Sequence, residues 1–535
     1  MAFLVVTFML SAGISWLKWP VPTLHDEFSY LLAADTYAGG RCTNATHPMW
    51  PHFETMHVLQ QPSYASKYPP AQGLFLALGQ ILLGTPLAGV WLSTSAAVAS
   101  IVWMLHVWFD RRWSIIGGCL ALTHSGLMLS WGQTYMGGAP AVVGAALLLG
   151  GWKLWGEQFT WKSGVLAAAG LAILANSRPF EGLLVSLPVL ISVAHTLFRR
   201  QPICLSMSRG IQLIPGSLLL ILVLLGMATY NKYVTGNMLN LPYAFHSKMY
   251  MTGPLFVFQQ PPQPAPEYRH EMLKEFHTDW ETNAWQAQRS LASFLRVKFH
   301  YFSMAMMVLL SPVLGLLILY SVRRHSSTGR STGDGHRNAE AGASGTSSFG
   351  TGLSRGQLIV LLSSLGLLLF GSSMAVWLYS HYLSPVLPVF FLLGVAGLRR
   401  LEVELPSPRV PNVSALAILL QSILFGVAVL RLVVGDHKGW QYDRQEVADS
   451  LNARDGQHLV VVQYATGHSP HEEWVYNRAD IDASKIVWAR DMGTDANTAL
   501  LRYFAGRHVW YLRPDSEPEN RLTRAIPGSH SNPVL

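Results

Sequence analysis

Eleven stretches of mainly apolar residues recur along this chain, near 1–17, 86–109, 113–131, 137–156, 163–176, 182–198, 211–230, 301–322, 356–378, 383–398 and 411–434. A helix that crosses the hydrocarbon core of a bilayer needs about 20 such residues. Inside that core only elements that satisfy their own backbone hydrogen bonds persist. The pattern therefore predicts an α-helical polytopic membrane protein with about eleven transmembrane helices. The first stretch is short, and no basic residue precedes it. Composition agrees: half of the 535 residues are hydrophobic and 13% are charged, against about a quarter in an ordinary soluble domain. A disordered chain and a disulfide-stapled secreted domain are both excluded. The formal charge of +8 would raise the question of nucleic acid in a soluble protein. In a membrane protein it belongs to basic loops, and no nucleic-acid partner is expected. Cys42, Cys119 and Cys204 offer neither a CxxC site nor a disulfide frame.

Basic residues set the orientation. The loops holding Arg111 and Arg112, Lys153 and Lys162, Arg199 and Arg200, and Arg399 and Arg400 alternate with short loops at 131–137 and 379–382 that hold none. The first set is read as cytoplasmic. The long loops 18–85 and 231–300 then face the outside, as does the tail. Residues 1–434 form the transmembrane domain. Within it, the Gly-, Ser- and Thr-rich stretch 323–355 reads as a disordered cytoplasmic linker. Residues 435–535 are richer in charge and carry apolar runs at 458–463, 485–489 and 508–512. They read as a small soluble extracytoplasmic α/β domain with strands alternating with helices.

The first outer loop holds the strongest chemical signal. Asp26 and Glu27 are adjacent carboxylates close to a membrane surface, where charge is expensive unless paired, solvated or used. One could serve as a general base while the other positions a substrate or metal. Equally, the pair could cap the helix that FSYLLAADTYA predicts. His52, Glu54 and His57 follow and could hold a divalent metal from an irregular loop, or simply hydrogen-bond at an interface. No metal is required by the sequence. Lys67, Tyr68, Pro69 and Pro70 close the loop. Arg178, between two spans, is a candidate clamp for a phosphate or the partner of Glu181. His381 and Tyr382 sit on a short turn at the same face.

The short first span, the acidic pair Asp26–Glu27, the long first outer loop and the YPP element at Tyr68–Pro70 together resemble the GT-C superfamily of membrane glycosyltransferases. The nearest resemblance is to the bacterial branch containing protein O-mannosyltransferases, lipid A aminoarabinose transferases and the RgtA/B/C/D-like group. It covers about 1–434 and is most specific in 25–73. SRPFEG at 177–182 and HYLSP at 381–385 are similar to stretches of acidobacterial-type members. Many relatives place Lys or Arg directly before the two prolines, where this chain has Tyr68 with Lys67 one residue earlier.

The resemblance implies a polyprenyl-phosphate sugar as donor, a glycan, lipid or protein as acceptor, and inversion at the anomeric carbon. Asp26 would be the base and Glu27 its partner. Arg178, Lys67, Tyr68, His381 and Tyr382 would contact the donor phosphate or sugar. It also implies a bacterial inner membrane, with the active site and C-terminus outside. A flippase of lipid-linked sugars, and a glycan ligase or polymerase using lipid diphosphates, are the competing readings.

Overall fold

The computed structural model describes residues 1–199, 207–323, 353–405, 412–436 and 438–525. Most of the proposed linker 323–355 lies outside the described residues. Each of the eleven apolar stretches is largely helical, but they are not eleven equal spans. Among the described residues six helices are long and apolar enough to cross a membrane, and a bent pair counted as one span makes seven. The helix Ala2–Leu17 has only 16 residues and Trp161–Ser177 only 17. The stretch 113–131 divides into Arg111–Leu122 and a wide turn, Gly126–Trp131. Leu291–Leu309 and Pro312–Ser321 meet at 101°. Pro312 opens the second of them, a position where its missing N–H costs nothing but from which the previous helix cannot continue.

Two helices show how burial divides the bundle. In Leu387–Glu404 every residue from Leu387 to Leu398 is buried, so an all-round apolar sequence sits at the protein centre. In Met207–Thr235, by contrast, Leu218, Ile221, Leu222, Leu224 and Leu225 are all exposed. A contiguous apolar surface of that kind needs lipid around it. Close contacts use small residues. A Cβ on Gly79 would lie 2.0 Å from the backbone N of Gly89, which seats Pro70–Leu83 directly on Pro86–Trp108.

Outside the bundle, 458–462 is an inner strand of a four-stranded sheet. It pairs in parallel with 486–490 and 508–512, and 522–524 adds an antiparallel edge. The tail does not stand apart. Its Leu459, Val461, Tyr476, Val487 and Leu500 share one apolar cluster with Phe28, Leu32, Phe53, Val58 and Tyr64 of the first loop.

Candidate active site

The helix His25–Ala38 begins with the acidic pair, and the two carboxylates separate at once. Adjacent helical residues point about 100° apart. Glu27 turns inward. Its Oε2 accepts from Thr23 N at 2.7 Å, Thr23 Oγ1 at 3.0 Å and Leu24 N at 3.1 Å, and its Oε1 accepts from Tyr135 N at 2.9 Å. Burial pushes its carboxyl pKa up, and these donors pull it back. The capping reading of the acidic pair describes the contacts of Glu27. It caps the helix and ties it to Tyr135, with three donors on Oε2 and one on Oε1.

Asp26 points the other way. Its Oδ1 accepts from Tyr68 Oη, its Oδ2 lies 3.9 Å from His57 Nε2, and the side chain keeps 26% of its surface open. A hairpin brings these partners in. Strand Val58–Leu59 pairs antiparallel with Ser63–Ser66, Val58 opposite Ser66 and Leu59 opposite Ala65. The same register continued one step sets His57 opposite Lys67, with Lys67 N donating to His57 O at 3.3 Å. Lys67 Nζ reaches His57 Nδ1 at 2.7 Å. Ser29 Oγ donates to His57 O at 2.7 Å, fastening the hairpin to the helix that carries Asp26.

Lys67 and Tyr68 open onto a cavity of about 320 Å³, whose wall also includes Tyr30, Arg178, Tyr243, Trp377 and Tyr382. Four sequence candidates thus share one chamber: Lys67, Tyr68, Arg178 and Tyr382. The Arg178 guanidinium lies 4.7 Å from the Tyr382 ring centroid, and its Nε is buried with no hydrogen-bond partner among the described residues. No ion pair between Arg178 and Glu181 is present among the described residues. Lys67 Nζ sits 4.9 Å from the Tyr243 ring and 5.3 Å from that of Tyr68. The chamber therefore holds two basic side chains against aromatic faces, with Glu181 also in its wall but not within ion-pair distance of Arg178. His381 stays outside its wall, buried and packed at 4.7 Å, edge to face, against Tyr382.

The suggested metal ligands do not converge. His52 Nδ1 pairs with Arg490 O at 2.9 Å, Glu54 Oε1 accepts from Tyr250 Oη at 2.9 Å, and His57 faces Lys67. Among the described residues no group of three or more His, Cys, Asp or Glu is arranged to hold a metal ion.

Tyr30 and Trp377 carried no sequence signal as cavity residues, because neither lies in a motif. The tail contributes Tyr476, whose hydroxyl is 2.8 Å from His25 Nδ1 and whose ring stacks on Phe28 at 4.3 Å. Burial lowers the His25 pKa from 6.5 to about 4. Unfolding lets this imidazole bind a proton between those two values. Its share of stability is thus complete above about pH 6.5 and is lost as the pH falls toward 4, at about 1.4 kcal/mol per pH unit. Thermal melts of detergent-solubilised protein from pH 7 to 4.5 are expected to show a falling Tm, with a shallower fall in His25→Gln. Parallel slopes would refute this.

No family model matches the chain, and no curated protein matches it. Solved structures do. ArnT from Cupriavidus metallidurans in its apo state is 12% identical, covers 95% of this chain and 92% of its own, and gives a TM-score of 0.49. The same protein bound to undecaprenyl phosphate gives 12% and 0.49, covering 96% and 92%. The Archaeoglobus fulgidus oligosaccharyltransferase, in complex with Zn and sulfate, gives 12% and 0.44. The alignment covers 86% of this chain but only 60% of that one. Both proteins are GT-C glycosyltransferases. At such identities and scores, the activity of this chain has to be argued from its own residues.

Proposed function

We propose that the chain is an inverting glycosyltransferase that takes a sugar from a polyprenyl-phosphate donor and passes it to an acceptor hydroxyl at the outer face of a bacterial inner membrane. The observation that carries this reading is the cavity. Arg178 and Lys67, neither in a carboxylate ion pair among the described residues, share a largely apolar, aromatic-lined chamber whose wall also holds Glu181, and Tyr68 links that wall to Asp26. A lipid phosphate supplies both what the cations lack and what the apolar wall accepts. Arg suits a phosphate because its planar fork donates two hydrogen bonds at once.

In this reading Asp26 Oδ2 removes the acceptor proton as the hydroxyl oxygen attacks the anomeric carbon. The carbon–phosphate oxygen bond breaks on the opposite face, and Arg178 and Lys67 receive the developing charge. Tyr68 holds Asp26 Oδ1 in place, so Oδ2 is the oxygen presented. ArnT has been solved with undecaprenyl phosphate, a compound of the proposed donor's class.

The test is sugar transfer in proteoliposomes from radiolabelled polyprenyl monophosphate and diphosphate hexoses, with a bacterial envelope extract as acceptor. Transfer from monophosphates is expected. Transfer from diphosphates alone would replace this reading with a ligase or polymerase. Arg178→Ala is expected to raise the donor KM roughly 10- to 100-fold, the equivalent of one charge-assisted hydrogen bond of about 1.5–3 kcal/mol. An unchanged KM would remove Arg178 from the donor site.

A further inference from the structure

We infer that Glu181 reads the donor's sugar: its carboxyl accepts a hydrogen bond from the sugar hydroxyl next to the phosphate-bearing carbon, and so separates the loaded carrier lipid from the spent one. The inference rests on the transfer reading above and deepens it, because neither Asp26 nor the two basic side chains tells a glycosylated lipid phosphate from a bare one.

Local sequence puts the residue there. Pro179 cannot continue the helix Trp161–Ser177, and the residue before a proline avoids the helical region. Arg178 accordingly leaves the helix at φ −139 and ψ 77, and the next helix starts at Pro179. A Cβ on Gly182 would lie 2.8 Å from that of Leu174, so the two helices meet closely at this bend. The bend carries Arg178 and Glu181 into one wall, and both line the chamber.

Glu181 is free of the usual task of its position. A glutamate at the third residue of a helix commonly reaches back to the N–H of the residue before the helix. Here that N–H belongs to Arg178 and already donates to Leu174 O at 2.8 Å. Among the described residues the Glu181 carboxyl forms no ion pair and no hydrogen bond with another residue, and it is the only carboxyl in the chamber wall. The amides of that wall are engaged: Asn176 Nδ2 donates to Ala172 O at 2.9 Å and Asn231 Nδ2 to Met238 O at 3.1 Å. A carboxyl at the start of a helix apolar enough to cross a membrane is costly unless it has a use.

A chamber for phosphate alone gains nothing from a carboxyl beside its arginine, because phosphate and carboxyl would face each other as two acceptors. A sugar removes the conflict. The sugar hydroxyl nearest the phosphate is the one on the carbon next to the anomeric carbon. With the phosphate on Arg178, that hydroxyl is the nearest sugar donor to Glu181. A carboxyl oxygen accepts from a hydroxyl whether the group is ionised or protonated. After transfer the hydroxyl leaves with the product, and Glu181 loses its partner. A site built to pair a substrate hydroxyl rejects the analogue that lacks it, since its own polar group is left unsatisfied. Glu181 takes no proton in the transfer itself.

The experiment is equilibrium binding to the protein in nanodiscs of radiolabelled polyprenyl monophosphate glucose and mannose, the 2-deoxyglucose analogue common to both, and sugar-free polyprenyl phosphate. Wild type, Glu181→Ala and Glu181→Gln are compared, with Tm reporting folding and hexose transfer in proteoliposomes measured alongside. Wild type is expected to hold at least one hexose lipid roughly tenfold tighter than the 2-deoxy and sugar-free lipids, the worth of one hydrogen bond to a charged group. Glu181→Ala should bring all the probes to within about threefold of one another, by weakening the hexose lipid. Glu181→Gln keeps an acceptor oxygen and should retain most of the preference. Wild type binding the 2-deoxy lipid within about threefold of both hexose lipids, an arm that needs no variant, would overturn the assignment. So would a preference that survives unchanged in folded Glu181→Ala. In both cases hexose transfer by wild type leaves the transfer reading standing. Wild type that neither binds nor transfers a hexose lipid overturns that reading, and the role of Glu181 with it.

Discussion

Asp26→Asn is expected to lower transfer by roughly 10²- to 10⁴-fold, the usual contribution of a positioned general base, while leaving the fold intact. The substitution keeps the shape of the side chain and an oxygen for the Tyr68 hydroxyl, which donates to Oδ1 in the native protein. Asp26 is the only member of the acidic pair with surface left for an acceptor, at 26% of the side chain. Glu27 gives the contrasting control. Its carboxylate accepts from Thr23, Leu24 and Tyr135 in a buried setting, so Glu27→Gln should lower Tm while the remaining folded protein stays active. The measurement is transfer per mole of folded protein, with folding read from the melt. Asp26→Asn retaining activity within tenfold of wild type would place the base elsewhere.

The second large effect concerns stability. Arg490→Met is expected to destabilise the protein by roughly 3–5 kcal/mol, the usual cost of leaving one buried charge without its partner. Arg490 and Glu473 form a fully enclosed ion pair at 2.5 Å, the Arg side chain 4% exposed and the Glu 0%. Glu473 also accepts from Tyr464 Oη at 2.5 Å and Val475 N at 2.8 Å. Arg490 Nη2 reaches across to Glu54 O at 3.3 Å, and His52 Nδ1 pairs with Arg490 O at 2.9 Å. The pair therefore joins the tail to the first loop, whose hairpin holds His57 and Lys67. Glu473→Gln alone should also be costly. The double variant Glu473→Gln/Arg490→Met should recover much of the loss, since no charge is then stranded. Calorimetric or fluorescence melts in one detergent would decide. Additive single losses in the double variant would mean that the pair is not coupled.

Much of this molecule was legible in its sequence, for identifiable reasons. The apolar stretches are helices because their composition leaves lipid or the protein centre as the available surroundings. The tail runs at 458–463, 485–489 and 508–512 are strands because short β-branched and aromatic segments bounded by polar turns suit a buried parallel sheet. Lys67, Tyr68, Arg178 and Tyr382 were singled out for charge or for position at one face, and they share a cavity. The count of spans was less secure, since hydropathy registers apolar length but not the 101° bend before Pro312 or the break between Arg111–Leu122 and Gly126–Trp131.

What only the tertiary structure decided is which polar groups point where. Two neighbouring carboxylates read alike in sequence. The helix start divides them into a cap and a partly open acid, because successive residues face different sides and only one side meets Thr23 and Tyr135. His52, Glu54 and His57 look like a ligand set on paper. Chain folding sends the first two toward Arg490 and Tyr250 and the third to Lys67. The sequence by itself determined the apolar helices and the polar loop at their end, because hydrophobicity depends on composition and its period. The pairing of His57 with Lys67 and the joining of tail to loop depend on register and long-range packing, which become visible only when distant segments meet.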